Sequence, residues 1–168
     1  MAAELWPQLR WNADRAVPVT DYALYLDDSG HPDSESVFVV AGYVATEEQW
    51  KAFEPRWQAA LKRFGLGDVF HMTDFMQERM TALRRDQILS TLANVVHANT
   101  IRPFVRAVTM PVYKKLNEEF TLQECHGAPY ALTARALAKE VNEWRAANLQ
   151  DDDNLTVFVE QGPSTWGT

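Results

Sequence analysis

Two apolar runs near the start of the chain constrain its fold more than any other feature. They span residues 22–27 and 37–44, and residues rich in turn formers separate them. Neither run alternates between apolar and polar residues, so both faces of each strand must be buried beneath helices. We therefore predict two central strands that form a hairpin with a long loop in an α/β domain.

Helical patterns alternate with further strands along the rest of the chain. The capping box of Thr46 and Gln49 predicts a helix start. Pro55 should kink or split this helix, and Gly65 should end it. The remaining predictions are a short extended segment at 69–71, helices at 83–96, 111–119 and 129–149, and strands at 101–110 and 155–160. A crossover that returns to the first strand makes the last strand parallel to it, in a mixed sheet with flanking helices.

Composition narrows the class of protein. The 168 residues fit one domain. The net charge of −7 does not suit a protein that binds nucleic acid through general positive charge. It does suit a site in which carboxylates hold a metal ion. A single cysteine excludes an internal disulfide. Residues 1–20 are predicted to be an irregular leader without a secretory signal, and no apolar run suggests a membrane span, so the predicted location is cytoplasmic. Trp6 and Trp11 of the leader are expected to pack on the domain or to contact a partner.

Two acids stand at the ends of predicted strands. Asp27 closes the first strand and Glu160 closes the last. If these strands are parallel neighbours, both carboxylates emerge at the carboxyl edge of the sheet, where open α/β sheets place their sites. Alternation puts Asp27 on a face with Ala23 and Tyr25, and Glu160 on a face with Phe158.

Such a pair of carboxylates can hold Mg²⁺ or Mn²⁺, which activate water in phosphodiester cleavage. The alternative interpretation is ordinary turn chemistry after the first strand and a solvated Glu160. His71 and Asp74 could add a metal ligand or a general base. From the residues alone, the preferred interpretation is a surface histidine and an acid early in a helix that interacts favourably with the helix dipole.

Five short segments occur in a specific order between about residue 22 and residue 162. They are YLDDSG at 25–30, AGYV at 41–44, FHMTD at 70–74, APYAL at 128–132 and VFVEQG at 157–162. In these segments the chain resembles the domain-of-unknown-function family 3800, which is found in bacteria and phages and is grouped with RNase H-like folds. The resemblance implies an RNase H-like mixed sheet at residues 21–168.

The resemblance also implies a set of site residues. Asp27 corresponds to the first acid of the family and Glu160 to the acid of the later strand. Asp28 stands where the family usually has Glu, His71 matches its histidine, and Asp74 matches the acid after it. Asp27, Asp28, His71 and Glu160 are thus the implied catalytic residues. Asp27, Asp74 and Glu160 are the implied ligands of Mg²⁺ or Mn²⁺.

The chain departs from the family at its end. The family continues into a helical stretch with a Gln-x-Ala-Asp type motif, which would supply a further acid, whereas this sequence stops at Thr168. We therefore expect the domain to be incomplete at its C-terminus, or to be a shortened variant.

Two main functional hypotheses follow from these patterns. The first is a metal-dependent nuclease, or a hydrolase of another ester, with nucleic acid as the partner of the nuclease. The second is a non-catalytic RNase H-like binding or scaffold module, whose partner is a protein, a nucleic acid or a second copy of the chain. Convergence of the Asp27 and Glu160 carboxylates would favour the first hypothesis.

Overall fold

The computed structural model describes residues 20–30 and 36–159. Within these residues the predicted α/β class and mixed sheet are confirmed. The elements in chain order are β1 (Asp21–Ser29), β2 (Val37–Thr46), α1 (Glu47–Phe64), α2 (Met72–Gln77), α3 (Ala82–Asn99), β3 (Arg102–Thr109), α4 (Met110–Phe120), α5 (Leu122–His126), α6 (Pro129–Asn148) and β4 (Asn154–Val159). None of these helices is both long and apolar enough to cross a membrane. Of the predicted leader, with Trp6 and Trp11, all but Thr20 lies outside the described residues.

The four strands form one sheet in the order β3-β2-β1-β4. β1 and β2 form the predicted antiparallel hairpin, and β2 pairs antiparallel with β3. β4 runs parallel to β1, as predicted for a crossover that returns to the first strand. β1 and β2 therefore lie in the middle of the sheet, as predicted, but helices do not bury both faces completely, since Val37 of β2 is 43% exposed.

β1 continues two residues beyond its predicted end at Asp27. Asp28 and Ser29 stay in the sheet because they pair with Val40 and Val39 of β2. Their side chains favour turns, but the long apolar partner strand extends the backbone pairing. Asp27 therefore lies inside a paired strand rather than at its end.

One face of the sheet, which we call the core face, carries Leu24 and Leu26 of β1 and is covered mainly by α6. The largest buried cluster fills the space between them. Its buried members are Leu24, Phe38, Val40, Val44, Phe104, Met110, Tyr113, Leu137, Val141 and Trp144. Burial of each large apolar side chain contributes about 1.5–3 kcal/mol, so this cluster is the main source of stability.

Glu140 of α6 links that helix to the edge strand β3. Its carboxylate oxygens lie 2.7 Å from Nη2 of Arg102 and 2.9 Å from Nη1 of Arg106. Both arginines are partly exposed, so water screens these ion pairs and each contributes at most about 1 kcal/mol. The two contacts nevertheless orient α6 across β3.

The opposite face, which we call the Asp27 face, carries Ala23, Tyr25 and Asp27 of β1. α1 contacts its amino-terminal part through Trp50. The indole Nε1–H of Trp50 donates a hydrogen bond to the Ala23 carbonyl at 2.9 Å, and its ring meets Tyr25 edge-on with 5.0 Å between centroids. Beside this contact, α1, α2 and α3 share a second core, whose buried members are Ala60, Leu61, Phe75, Ile88 and Leu92.

α1 begins and ends where the sequence predicts. Thr46 and Gln49 form the capping box, in which the Gln49 side chain accepts from the Thr46 backbone at 2.9 Å. Gly65 ends the helix in the left-handed conformation, with φ at 72°. Pro55 does not split α1. It removes the N–H that would bond to the Lys51 carbonyl, but both residues are exposed, so water can satisfy that carbonyl.

The segment between α1 and α3 contains the predicted short extended piece only as a connection. The backbone of His71 is extended, with φ at −115° and ψ at 122°, but residues 69–71 join no strand and lead into α2. No side chain caps α2, whose first residue follows His71. Thr81 caps α3, because its hydroxyl accepts from the backbone N–H of Arg84 at 3.2 Å.

Gly42 is the position at which a side chain would disturb the sheet most. A Cβ atom there would collide with the Tyr25 carbonyl and would lie 2.7 Å from Cδ2 of Leu26. We expect Gly42→Ala to lower the free energy of unfolding in urea by about 3 kcal/mol, because overpacking against fixed neighbours costs about 1–3 kcal/mol.

Gly65→Ala is the matched control for that experiment. Nothing lies within 4 Å of a Cβ atom at Gly65, so only its left-handed backbone is strained. The expected loss there is about 1 kcal/mol. Equal losses for the two variants would contradict the view that β1 and β2 approach too closely at Gly42 for a side chain.

Candidate functional site

Asp27 occupies the part of the Asp27 face near the carboxyl end of β1, opposite Ala41 of β2. The predicted sharing of one face by Asp27, Tyr25 and Ala23 is confirmed by the strand geometry. Asp27 is exposed, whereas Tyr25 is half-buried against Trp50. The Asp27 carboxylate is therefore accessible from solvent beside a surface that α1 only partly covers.

Asp28 belongs to the other side of β1. Its register partner is Val40, a member of the buried cluster on the core face, so the two neighbouring aspartates point to opposite faces. Burial first, and the Asp27 carboxylate second, raise the pKa of Asp28 above its ordinary value. The backbone N–H of Asp28 donates to Oδ1 of Asp27 at 2.8 Å. Asp28 thus acts on Asp27 through its backbone and its charge, not as a second carboxylate on the same face.

β4 runs beside β1 toward the same edge of the sheet. Phe158 pairs with Tyr25, and Val159 pairs with Leu26. Glu160, the second acid in the predicted site, lies outside the described residues. Its convergence with Asp27 therefore stays a prediction.

His71 and Asp74 lie in the helical layer with α1 and α3. His71 immediately precedes α2 and Asp74 is in its first turn, and both side chains are exposed. The next residue, Phe75, is buried in the second core and anchors α2 there. Among residues 20–30 and 36–159, no three His, Cys, Asp or Glu side chains lie close enough together to hold a metal ion. His71 and Asp74 thus form no three-ligand site with Asp27 among these residues, and the predicted ligand set of Asp27, Asp74 and Glu160 stays a prediction because Glu160 lies outside them.

An apolar strip lies beside Asp27 on the same face. The pairing of β2 with β1 and β3 places Val37, Val39, Ala41, Val105 and Ala107 in this strip. Val37 is 43% exposed and Val105 is 49% exposed. A ligand with a flat apolar part and a part that carries charge or a metal ion would match this combination of surfaces.

A continuous series of aromatic rings joins the Asp27 face to the second core. Neighbouring ring centroids are 4.8–6.2 Å apart, which is within the contact range of aromatic pairs. The series runs through Phe158, Tyr25, Trp50, Phe53, Trp57, Phe70 and Phe75. Trp50, Phe53 and Trp57 recur at helical spacing in the sequence, which predicts that they face the core, but this spacing does not predict the extension across the sheet. The signal that could have predicted the contact between Tyr25 and Phe158 is the parallel register of the first and last strands.

Comparison with family models, with curated proteins and with solved structures found no match to the chain. Membership of the domain-of-unknown-function family 3800 therefore stays a prediction that rests on the five ordered segments. The mixed sheet and the positions of Asp27 and Asp28 come from the structure itself and do not depend on a relative.

Loss of the Asp27 charge is expected to lower the pKa of Asp28. Asp27→Asn removes the second cause of the raised pKa and leaves burial in place. NMR titration of the Asp28 carboxyl carbon should give a lower pKa in this variant than in the wild type, still above the ordinary value of 3.8. Ser29→Ala changes an exposed neighbour without changing charge and should leave the pKa of Asp28 unaltered.

The same shift predicts how Asp28 affects stability. The pKa of Asp28 is higher in the folded protein than in the unfolded chain. Between these two pKa values the folded protein binds more protons than the unfolded chain. The free energy of unfolding therefore falls as the pH rises through this window. Asp28→Asn should therefore raise the free energy of unfolding at pH 7 and should not raise it at about pH 3, where both states are protonated. A variant that is less stable than the wild type at pH 7 would contradict this sign.

Proposed function

We propose that this protein is a metal-dependent nuclease, or a related phosphodiester hydrolase, with an RNase H-like domain. The observation that carries the proposal is the position of Asp27, an exposed carboxylate near the carboxyl end of a central strand. Ligands of open α/β sheets bind outside the carboxyl ends of the strands. The mixed sheet, the hairpin start and the flanking helices support the RNase H-like assignment that the sequence resemblance implies.

The proposed metal ligands are Asp27 and Glu160, with Mg²⁺ or Mn²⁺ as the ion. Val159 is the register partner of Leu26, and Glu160 follows Val159 in the sequence. We propose that this register continues by one step and pairs Asp27 with Glu160. Asp27 suits the role of a ligand because hard divalent ions prefer carboxylate oxygens and no ion pair within the described residues involves it.

The residues around Asp27 have distinct roles in this proposal. The Asp28 N–H holds one oxygen of the Asp27 carboxylate, which leaves the other oxygen for a ligand. Asp28 is therefore a positioning residue. His71 and Asp74, in the helical layer, are not used as ligands together with Asp27. A bound divalent ion would activate water and stabilise the leaving oxygen of a phosphodiester.

A second candidate function is a non-catalytic RNase H-like module that binds another protein. Val112, Leu116 and Phe120 of α4 follow one another at intervals of four, so they share one side of the helix. Their exposed fractions are 55%, 37% and 55%. Contiguous exposed apolar surface is characteristic of protein contact sites. The net charge of −7, which opposes general binding to phosphates, also favours this candidate.

Calorimetric titration with Mn²⁺ tests the proposed nuclease. The wild type should bind Mn²⁺, and Asp27→Asn should weaken binding by more than about 100-fold, because loss of even an outer-shell partner of a ligand costs about 10–100-fold. Glu160→Gln should have the same effect. Mn²⁺-dependent cleavage of a nucleic acid should disappear in both variants.

Asp86→Asn is the control for these variants, since Asp86 is an exposed carboxylate on α3. It should bind Mn²⁺ and cleave as the wild type does. A folded wild type that binds no Mn²⁺ would refute the proposed nuclease and leave the protein-binding module as the better candidate.

A further inference from the structure

We propose that Phe158, supported by Tyr25, is a stacking platform for an unpaired base of a single-stranded nucleic acid bound along the Asp27 face. The inference rests on the proposed nuclease function and names its substrate class. It depends on three features of the structure: the geometry of the ring pair, its place at the edge of the sheet, and its spacing from Asp27.

The two rings are stacked and held in place. Their centroids are 4.8 Å apart and their planes differ by 11°. Trp50 packs edge-on against Tyr25, and its indole N–H is fixed by the hydrogen bond to the Ala23 carbonyl. Because the platform is already ordered before a ligand arrives, stacking a base on it requires little loss of side-chain entropy.

One side of the platform is directed away from the sheet. The centroid separation of 4.8 Å matches the spacing of about 4.7–4.9 Å between neighbouring strands, so the two rings stand side by side across β1 and β4. Within the described residues, β4 is an edge strand and Tyr25 is the only aromatic ring in contact with Phe158. Phe158 is partly buried, and the ring face that Tyr25 does not cover lies on the side of β4 away from β1.

The distance between the platform and the acid suits one nucleotide. Tyr25 and Asp27 are two residues apart on one face, which corresponds to about 7 Å along the strand. A base stacked on Phe158 would leave its sugar and phosphate near Asp27. A base inside a duplex is already stacked between its neighbours, so the platform selects single strands or unpaired bases.

The charge of the protein also favours stacking as the source of affinity. The net charge is −7, and neither the platform nor the apolar strip beside Asp27 contains Lys or Arg. Few phosphate charges are then neutralised on binding, so affinity for a single strand should depend only weakly on salt concentration. Stacking on an aromatic ring is available to every base and predicts little sequence preference.

Fluorescence anisotropy of labelled oligonucleotides tests the platform. The probes are a thymidine DNA and a uridine RNA of about 12 nucleotides, a typical single-strand site size, and a DNA duplex of equal length. Titrations are made with the full chain in EDTA, so that binding is read without cleavage. The wild type should bind the single strands more tightly than the duplex, and Phe158→Leu should weaken single-strand binding by about 10-fold or more. The DNA and RNA arms show whether the sugar also contributes.

Two further variants separate stacking from packing. Phe158→Trp retains a flat aromatic face and should bind a single strand at least as tightly as the wild type. Phe120→Leu removes an exposed ring on α4, far along the chain from the platform, and should leave binding unchanged. Wild-type affinity in Phe158→Leu, or no single-strand binding by the wild type, would overturn the platform. If Phe158→Leu does not fold, Phe158→Trp decides the matter, because weaker single-strand binding by a folded Phe158→Trp variant would overturn the platform and wild-type or tighter binding would support it.

The platform and the proposed nuclease can fail separately. Asp27→Asn in EDTA should bind a single strand at least as tightly as the wild type, because stacking does not need the metal and the lost carboxylate no longer repels the nearby phosphate. If Phe158→Leu loses binding while Asp27→Asn still cleaves with Mn²⁺, the nuclease assignment of Asp27 fails and the platform stands. If Asp27→Asn abolishes cleavage while Phe158→Leu binds normally, only the platform fails.

Discussion

The pairing of β1 on both sides is the constraint on which the rest of the structure depends. β1 is hydrogen-bonded antiparallel to β2 and parallel to β4, so its register determines which residues of three strands share a face. A shift of one residue would exchange the buried and exposed sets. It would bury Asp27 and expose Leu24, which is completely buried. The hydrophobic cost of such a shift keeps the acid, the aromatic pair and the apolar strip together on one face.

Much of this arrangement could be predicted from the sequence, because it depends on local pattern. The unbroken apolar runs predicted the central hairpin, and the position of the last strand after a long helix predicted its parallel pairing. Alternation then predicted that Tyr25 and Asp27 share a face. The capping box of Thr46 and Gln49 is equally local, since both hydrogen bonds lie within four residues.

Features that depend on distant partners could not be predicted in this way. Turn-forming side chains at Asp28 and Ser29 suggested the end of a strand, but pairing with β2 continues through them. The residues before α2 join no strand, because the burial of Phe75 in the second core determines the position of this segment. The spacing of His71 and Asp74 allows a position early in a helix but does not show which elements lie around them. Their place follows from packing among α1, α2 and α3.

Electrostatics explains why two adjacent acids can be tolerated in a central strand. Two carboxylates on one face would repel each other strongly, and alternation instead places one in solvent and the other beside the core. Asp27 keeps its hydration, while the raised pKa of Asp28 reflects burial and the nearby charge. The pair therefore behaves as one exposed acid with a neighbour that orients it through a backbone N–H.

The acidic character of the whole protein need not prevent recognition of a phosphodiester at this face. At physiological ionic strength, charges more than about 8 Å apart in solvent are largely screened. The net charge of −7 therefore mainly slows the approach of a substrate and has less effect on its contacts with the Asp27 face. At contact, the described groups near Asp27 on this face are the Asp27 carboxylate, an apolar strip and a stacked ring pair. A divalent ion held by Asp27 would make the local charge positive. The rings would stack on a base whether the local charge is positive or negative. Metal and stacking would then act on different parts of one nucleotide, which is how an acidic sheet could hold an acidic substrate.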